Sequence, residues 1–390
     1  MKQGWEIKKL GDCFDYIKNG ANIKQERGAG GIPITRIETL SGGVFNRDRL
    51  GYANIQDINK YESHILESED LLLSHINSKT YIGRTVVYIK DGDETIIHGM
   101  NLLRLRATRS VINPFLFYYY SLSDKFNGQI ANRRKDAVNQ SSISVGDLKT
   151  IVVPVPPLPE QERIVAELDC LSSIIEKQKK QLKELDNLAQ SIFYTMFGDP
   201  ITNEMGWEVK PIKDVAPQQE YKGEVPCIDG KYWLLNLDMV SSNTGEIVEK
   251  CYFDYDEIGN STITFNSDNV LYSKLRPYLN KVVIPDSIGY ATSELVPLKP
   301  QLNILDKVYF AYLLRSSSFV KYISAKVAGA KMPRVSMNDF RCFDVMLPPL
   351  SLQQEFASKI EAIEKQKKLI KQSIAETETL FNSRMDYYFN

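Results

Sequence analysis

The side chains able to do chemistry in this sequence are cations and amides set among strand-like segments. Ahead of Pro157 they are Arg36, Ser74, His75, Asn77, Lys79 and Arg84, then Arg133, Arg134, Lys135, Asn139 and Gln140. A second group follows in the other half: Lys274, Arg276, Tyr278, Asn280, Lys281, Lys326, Lys331 and Arg334. Arginine pairs with guanine edges, and asparagine or glutamine with adenine edges, through two hydrogen bonds, while lysine and serine hold phosphate. Such sets suit the reading of a DNA duplex. Sets suited to catalysis are missing from the sequence. Gly28-Ala29-Gly30-Gly31 sits between polar residues instead of opening a helix, and Asn113-Pro114-Phe115 lacks the second proline of a base-methylating loop. Pro285-Asp286 is followed by Glu294-Leu295-Val296 without the lysine two residues on that a metal-dependent nuclease needs. His64, His75 and His98 have no zinc-ligand spacing.

Something must position these groups, and the chain repeats itself to do so. Gly4-Trp5-Glu6-Ile7-Lys8 returns as Gly206-Trp207-Glu208-Val209-Lys210, and Ile151-Val152-Val153-Pro154-Val155-Pro156-Pro157-Leu158 returns as Phe343-Asp344-Val345-Met346-Leu347-Pro348-Pro349-Leu350. Ile175-Glu176-Lys177-Gln178-Lys179-Lys180 recurs letter for letter from Ile363 to Lys368. Similarity fades between Gly20 and Val138 and between Gly223 and Met332, so two like scaffolds carry two unlike inserts.

After each Pro-Pro-Leu the pattern predicts a long helix. Ile164, Leu168, Leu171, Ile175, Gln178, Leu182, Leu185, Ala189 and Ile192 form the apolar seam of a coiled coil; Pro159 with Glu160 and Glu162 suits its start, and Gly198 with Pro200 its end. Phe356, Ile360, Ile363, Ile370, Ile374 and Phe381 give a looser stripe, with a polar choice at Gln366 or Lys367. The first helix carries about four more residues before the shared hexapeptide, close to one added turn. Antiparallel packing of the two helices is expected, giving an approximate twofold repeat.

The expected fold class is α+β: two β-rich mixed recognition domains of like fold, separated by two long antiparallel coiled-coil helices. The expected segments are 1–157, 158–200, 201–349 and 350–390. Segments 32–37, 71–74, 85–89 and 95–97 read as strands and 114–122 as a helix, with 269–274, 281–284 and 308–314 repeating that grammar. Nothing marks the N-terminus for export and no apolar run spans a bilayer, so a cytoplasmic protein is expected. The five cysteines fit no disulfide framework or metal site and are expected to be buried thiols. The net charge of -1 favours a rival, a coiled-coil adaptor that does not bind DNA.

The stretch Pro156-Pro157-Leu158-Pro159-Glu160-Gln161-Glu162-Arg163-Ile164-Val165, the joint Met196-Phe197-Gly198-Asp199-Pro200 leading to Gly206-Trp207-Glu208, and the half-repeat resemble the specificity subunit of type I restriction-modification systems. The resemblance covers essentially the whole chain. It implies a non-catalytic subunit whose two target recognition domains each read half of a split site in double-stranded DNA. It also implies helices that space the domains and dock two modification subunits, which methylate adenine with S-adenosylmethionine. Two restriction subunits add ATP-driven translocation and cleavage, so S-adenosylmethionine, ATP and Mg belong to partners and no cofactor to this chain. A specificity chain of a related system with a fused enzyme is a second rival. The second helix, beginning Pro348-Pro349-Leu350-Ser351-Leu352-Gln353-Gln354, lacks the Glu-Gln pair, and Tyr387-Tyr388-Phe389-Asn390 lacks the Gly-Asp-Pro, so the resemblance implies docking more fully at the first repeat than at the second.

Overall fold

The computed structural model describes residues 4–25, 30–55, 57–138, 140–259, 261–329 and 332–390. The chain divides into two units, Met1–Lys177 with Ser373–Asn390, and Gln178–Gln372.

In the first unit the two repeated motifs meet. Strand Glu6–Lys9 pairs antiparallel with Val152–Val155, Glu6 opposite Val155. The second unit does the same with Val209–Pro211 and Asp344–Met346, Val209 opposite Met346. Each recognition domain is thus closed at its root by a ladder between its first and last strands.

Above that root the first unit holds a four-stranded sheet in the order Phe14–Asn19, Leu102–Ala107, Leu71–Ser74, Thr85–Val87. Successive side chains leave a strand on opposite faces. Leu71 and Leu73 therefore join the main core with Phe14 and Phe117, and Leu72 faces a second cluster with Tyr88 and Ile96. Both faces are covered, which explains the uninterrupted leucines; each such burial contributes about 1.5–3 kcal/mol. The second unit keeps the central order with Leu295–Leu298, Val270–Ser273 and Val282–Val283. It then adds a five-stranded sheet around Lys231–Leu235, where the first unit pairs Ile32–Ile34 with Gly51–Ala53.

The helices repeat more closely than the sequence suggests. The first unit has α1 (Pro114–Ser121), α2 (Asp124–Arg133) and α3 (Val145–Lys149), capped by Asn113, Ser123 and Ser144. After α4 (Leu158–Phe197) and the short α5 (Ile212–Val215), the second has α6 (Lys307–Arg315), α7 (Ser317–Ser324) and α8 (Met337–Arg341), capped by Asp306, Ser316 and Ser336. Each cap satisfies an otherwise unpaired amide at the helix start, worth about 1 kcal/mol. The last helix is α9 (Leu350–Phe389).

Helices α4 and α9 are both 40 residues long. The shared hexapeptide begins 17 residues into α4 but 13 into α9, the added turn expected in the first helix. In the first unit the opening half of α4 meets the closing half of α9: Tyr388 Oη donates to Glu167 Oε2 at 2.7 Å and Arg384 Nε lies 2.6 Å from Glu167 Oε1. In the second unit the closing half of α4 meets the opening half of α9, with Phe193 and Phe356 rings 5.8 Å apart. Both pairings are antiparallel. Gly198, at φ 76°, ends α4 in the left-handed conformation that glycine adopts without penalty, and Trp207 Nε1 donates to Phe197 O at 2.9 Å.

Three expectations change. The strand expected over 32–37 stops at Ile34, and after Arg36 the chain turns through the 3-10 segment Ile37–Gly43, which is broken by a kink at Ser41 and Gly42. The stretch 95–97 contributes only isolated bridges from Ile97 to Ile34 and Ile65, because no neighbouring strand runs beside it far enough to build a ladder. Of the five cysteines only Cys13 is buried; Cys170, Cys227 and Cys342 are exposed and Cys251 intermediate, since they fall on outward positions of α4, of strand ends and of a helix cap. Among the described residues no helix is long and apolar enough to cross a membrane.

Candidate nucleic-acid interface

In the first unit the strand Leu71–Ser74 runs on into Ile76–Asn77, which pairs with Ser141–Ser142, itself paired with Lys135–Asp136. This small sheet joins two groups that lie far apart in sequence. Asn77 is opposite Ser141, and Lys79 Nζ reaches Asp136 Oδ2 at 3.0 Å, where Arg134 Nε also lies 3.1 Å from Oδ1. Hydrogen bonds from Ser141 and Lys79 hold the Asp136 carboxyl below the usual carboxylate range, so it stays charged and balances both cations. Lys135 and Gln140 are exposed beside them. Asn139 lies outside the described residues.

Behind this sheet is a cleft of about 350 Å³ lined by Ser74, Asn77, Tyr81 and Arg84 with Ser41 and Gly42. The Arg84 guanidinium stacks on Tyr81, 4.4 Å from the ring centre, and Asn77 Nδ2 donates to Ser74 Oγ at 3.1 Å. Arg36 adjoins the cleft through Ile37 and pairs with Glu38 at 3.4 Å. Ser74 and His75 are buried. Burial pushes the His75 imidazole down to about 4, so it is neutral near pH 7 and offers phosphate no charge. Arg133 turns back into its own domain, donating to Thr150 Oγ1 and Gln129 O.

The second unit repeats the geometry with other residues. A hairpin of Val327–Ala328 and Arg334–Val335 lies against the end of Val270–Ser273. Arg334 bridges Leu275, Arg276 N donates to Pro333 O at 2.8 Å, and Val335 N to Lys274 O at 2.9 Å. Lys274, Arg276 and Arg334 thereby share one platform. Arg276 holds the left-handed conformation, φ 50°, which costs a residue with a side chain of order 1 kcal/mol and is fixed here by that amide bond and by Pro277. Tyr278 is exposed beside it. Arg334 Nη2 meets Glu294 Oε1 at 2.7 Å, and the guanidinium holds the Glu294 carboxyl below its usual range. Lys274 and Arg276 make no ion pair with a described residue.

Three second-half candidates point elsewhere. Asn280 is buried and donates to Arg315 O at 2.9 Å, Lys281 Nζ donates to Leu237 O at 2.6 Å, and Lys326 Nζ donates to Tyr322 Oη at 2.6 Å. Asn280 and Lys281 are committed inside the domain, while the Lys326 head lies on the Tyr322 ring of α7. Lys331 lies outside the described residues. The sequence reading missed Tyr81, Ser41 and Gly42, and the two carboxylates, Asp136 and Glu294, that tune the platforms; only spatial pairing reveals them.

The model of the type I restriction modification DNA specificity domain matches residues 2–186 and again 204–379. The chain belongs to that family. A provisionally assigned type I restriction enzyme MjaX specificity subunit of Methanocaldococcus jannaschii is 27% identical over 386 residues, covering 93% of this chain and 88% of its own. The type I restriction enzyme EcoDI specificity subunit of Escherichia coli is 22% identical, covering 75% and 73%. Among solved structures, the S subunit of the type I restriction-modification system from M. genitalium superposes with a TM-score of 0.57 at 12% identity, covering 99% of this chain and 97% of that one. A chain from a study of complex assembly and conformational transition in the type I R-M system gives 0.56 at 16% identity, covering 100% and 98%. These two likenesses show the fold, and each family match spans one domain with its paired-strand root together with most of the long helix that follows.

Proposed function

We propose that this specificity-family chain reads a split target in double-stranded DNA, one half-site per recognition domain, while α4 and α9 space the half-sites and dock two modification subunits. One observation carries the reading: a strand end and a hairpin form a basic platform at the same place in both domains, but with unlike residues. Equal placement suits a common DNA backbone, and unlike residues suit two different half-sites. Binding through one stiff connector favours targets whose separation matches it, so spacer length becomes part of the code. The chain itself supplies recognition and no catalysis. Methylation with S-adenosylmethionine, and ATP- and Mg-dependent cleavage with two restriction subunits, take place on the partners, in the cytoplasm. Deleting four residues near Leu171 and mapping methylated sites tests the ruler. A changed spacer is expected, and unchanged spacing refutes it. An adaptor that ignores DNA would instead show no duplex binding that weakens steeply as salt rises.

A further inference from the structure

The apolar stripe of α9 has a charged member. Phe356, Ile360, Ile363, Lys367, Ile370 and Ile374 recur at alternating spacings of four and three, and Lys367 occupies a position where the pattern calls for an apolar side chain. Its side chain is 7% exposed, as enclosed as Ile363 in the preceding turn. The ammonium lies 2.7 Å from Asp186 Oδ1 on α4 and 2.9 Å from Glu364 Oε1 on its own helix. Tyr312 and Arg315 of α6 line the same clefts as Lys367, and the Arg315 guanidinium is engaged by Val282 O at 2.6 Å. Lys367 is thus held between one carboxylate on each helix.

We propose that the contact between Lys367 and Asp186 fixes the register of α9 against α4. Resting on the reading that this pair measures the distance between half-sites, it makes Lys367 a spacer-determining residue. An all-apolar seam tolerates sliding by a turn, because one isoleucine replaces another; a single buried polar residue does not. One turn either way along α4 from Asp186 stand Leu182 with Lys183, and Ala189 with Gln190. None carries a negative charge. Glu364 rides on the same helix as Lys367 and follows it into any register, so it does not discriminate. Asp186 alone does.

The test uses the full chain with Cys170, Cys227, Cys251 and Cys342 replaced by serine, and spin labels at the exposed positions Leu188 and Leu369. The parent should give one interlabel distance. Lys367→Met, which keeps length and apolar volume, should fold with an unfolding temperature no lower than the parent's and add a second interlabel distance, that of helices slid past each other by about 5.4 Å, one helical turn. A single, unshifted distance in Lys367→Met overturns the proposal. Site mapping of the same variant with its modification partners should then show a second spacer class. A second distance without a second spacer leaves the register pin standing and refutes the ruler. Should Lys367→Met fail to accumulate, Asp186→Asn with the same labels decides: a second distance is expected, and a single, unshifted one overturns the proposal.

Discussion

Gln161 and Gln353 make the same three hydrogen bonds in the two halves of the molecule. Gln161 Oε1 accepts Asn113 N at 2.7 Å while Nε2 donates to Val111 O and Pro156 O at 2.9 and 2.8 Å. Gln353 Oε1 accepts Asp306 N at 2.8 Å while Nε2 donates to Ile304 O and Pro348 O at 3.0 and 2.8 Å. Both side chains are fully buried. Each ties the start of a long helix to the cap residue of the first domain helix, so the angle at which the domain leaves the helix is held by three directional bonds.

Replacing either glutamine with leucine strands those backbone groups without water. The expected loss for Gln161→Leu or Gln353→Leu is at least about 1–3 kcal/mol, read from the urea midpoint of the unit concerned. Glu160→Leu removes only a 3.7 Å surface pair with Arg163 and should stay within about 0.5 kcal/mol. The glutamine of the Glu-Gln motif is the folding letter. It is present in the second helix as Gln353, where only the glutamate is replaced, by Leu352.

Arg276→Ala should cost about 1–3 kcal/mol of affinity for the half-site read by the second domain if the guanidinium meets a base edge, and leave the other half-site untouched. Competition with duplexes mutated in one half-site at a time measures this. Equal loss at both halves contradicts independent domains.

Glu294→Gln should strengthen duplex binding. It releases Arg334 from its carboxylate partner, so the slope of log affinity against log salt should become steeper by roughly one ion. An unchanged slope would place Arg334 away from phosphate.

The acid response of the first unit follows from its buried imidazoles. Burial lowers His75 to about 4 and His98 to about 3. Unfolding releases both to the ordinary value of 6.5, so the unfolded chain takes up protons that the folded one refuses. Stability is full above about pH 6.5 and falls as the pH drops toward 4, whereas DNA affinity between pH 7 and 8 should not change through histidine. His98→Asn, if it folds, should flatten that limb in calorimetry between pH 7 and 4.5.

Glu94 adds a second, lower limb. The Arg47 side-chain hydrogen bonds, chiefly, together with the Asp91 amide and Tyr88 Oη, hold its carboxyl at about 2 against an ordinary 4.5. That contribution is complete above about pH 4.5 and is lost as the pH falls through 2. Glu94→Gln and the parent should therefore differ at pH 7, draw together in acid-unfolding curves below about pH 4.5, and coincide only below about pH 2.

The sequence by itself determined the half-repeat, the two long helices and their seam, and the family they signify, because these rest on local rules: heptad spacing, capping residues and terminating glycines act within a few residues of one another. It also displayed the odd charge at Lys367, though not its partner. The tertiary structure alone decided that Lys135 and Gln140 stand beside Asn77, that Arg334 stands beside Arg276, and that Asn280 and Lys281 turn inward instead. Those outcomes depend on pairing between strands separated by dozens of residues, and on which face of a strand meets the core. A one-residue change of register reverses every such assignment, and no local pattern specifies it.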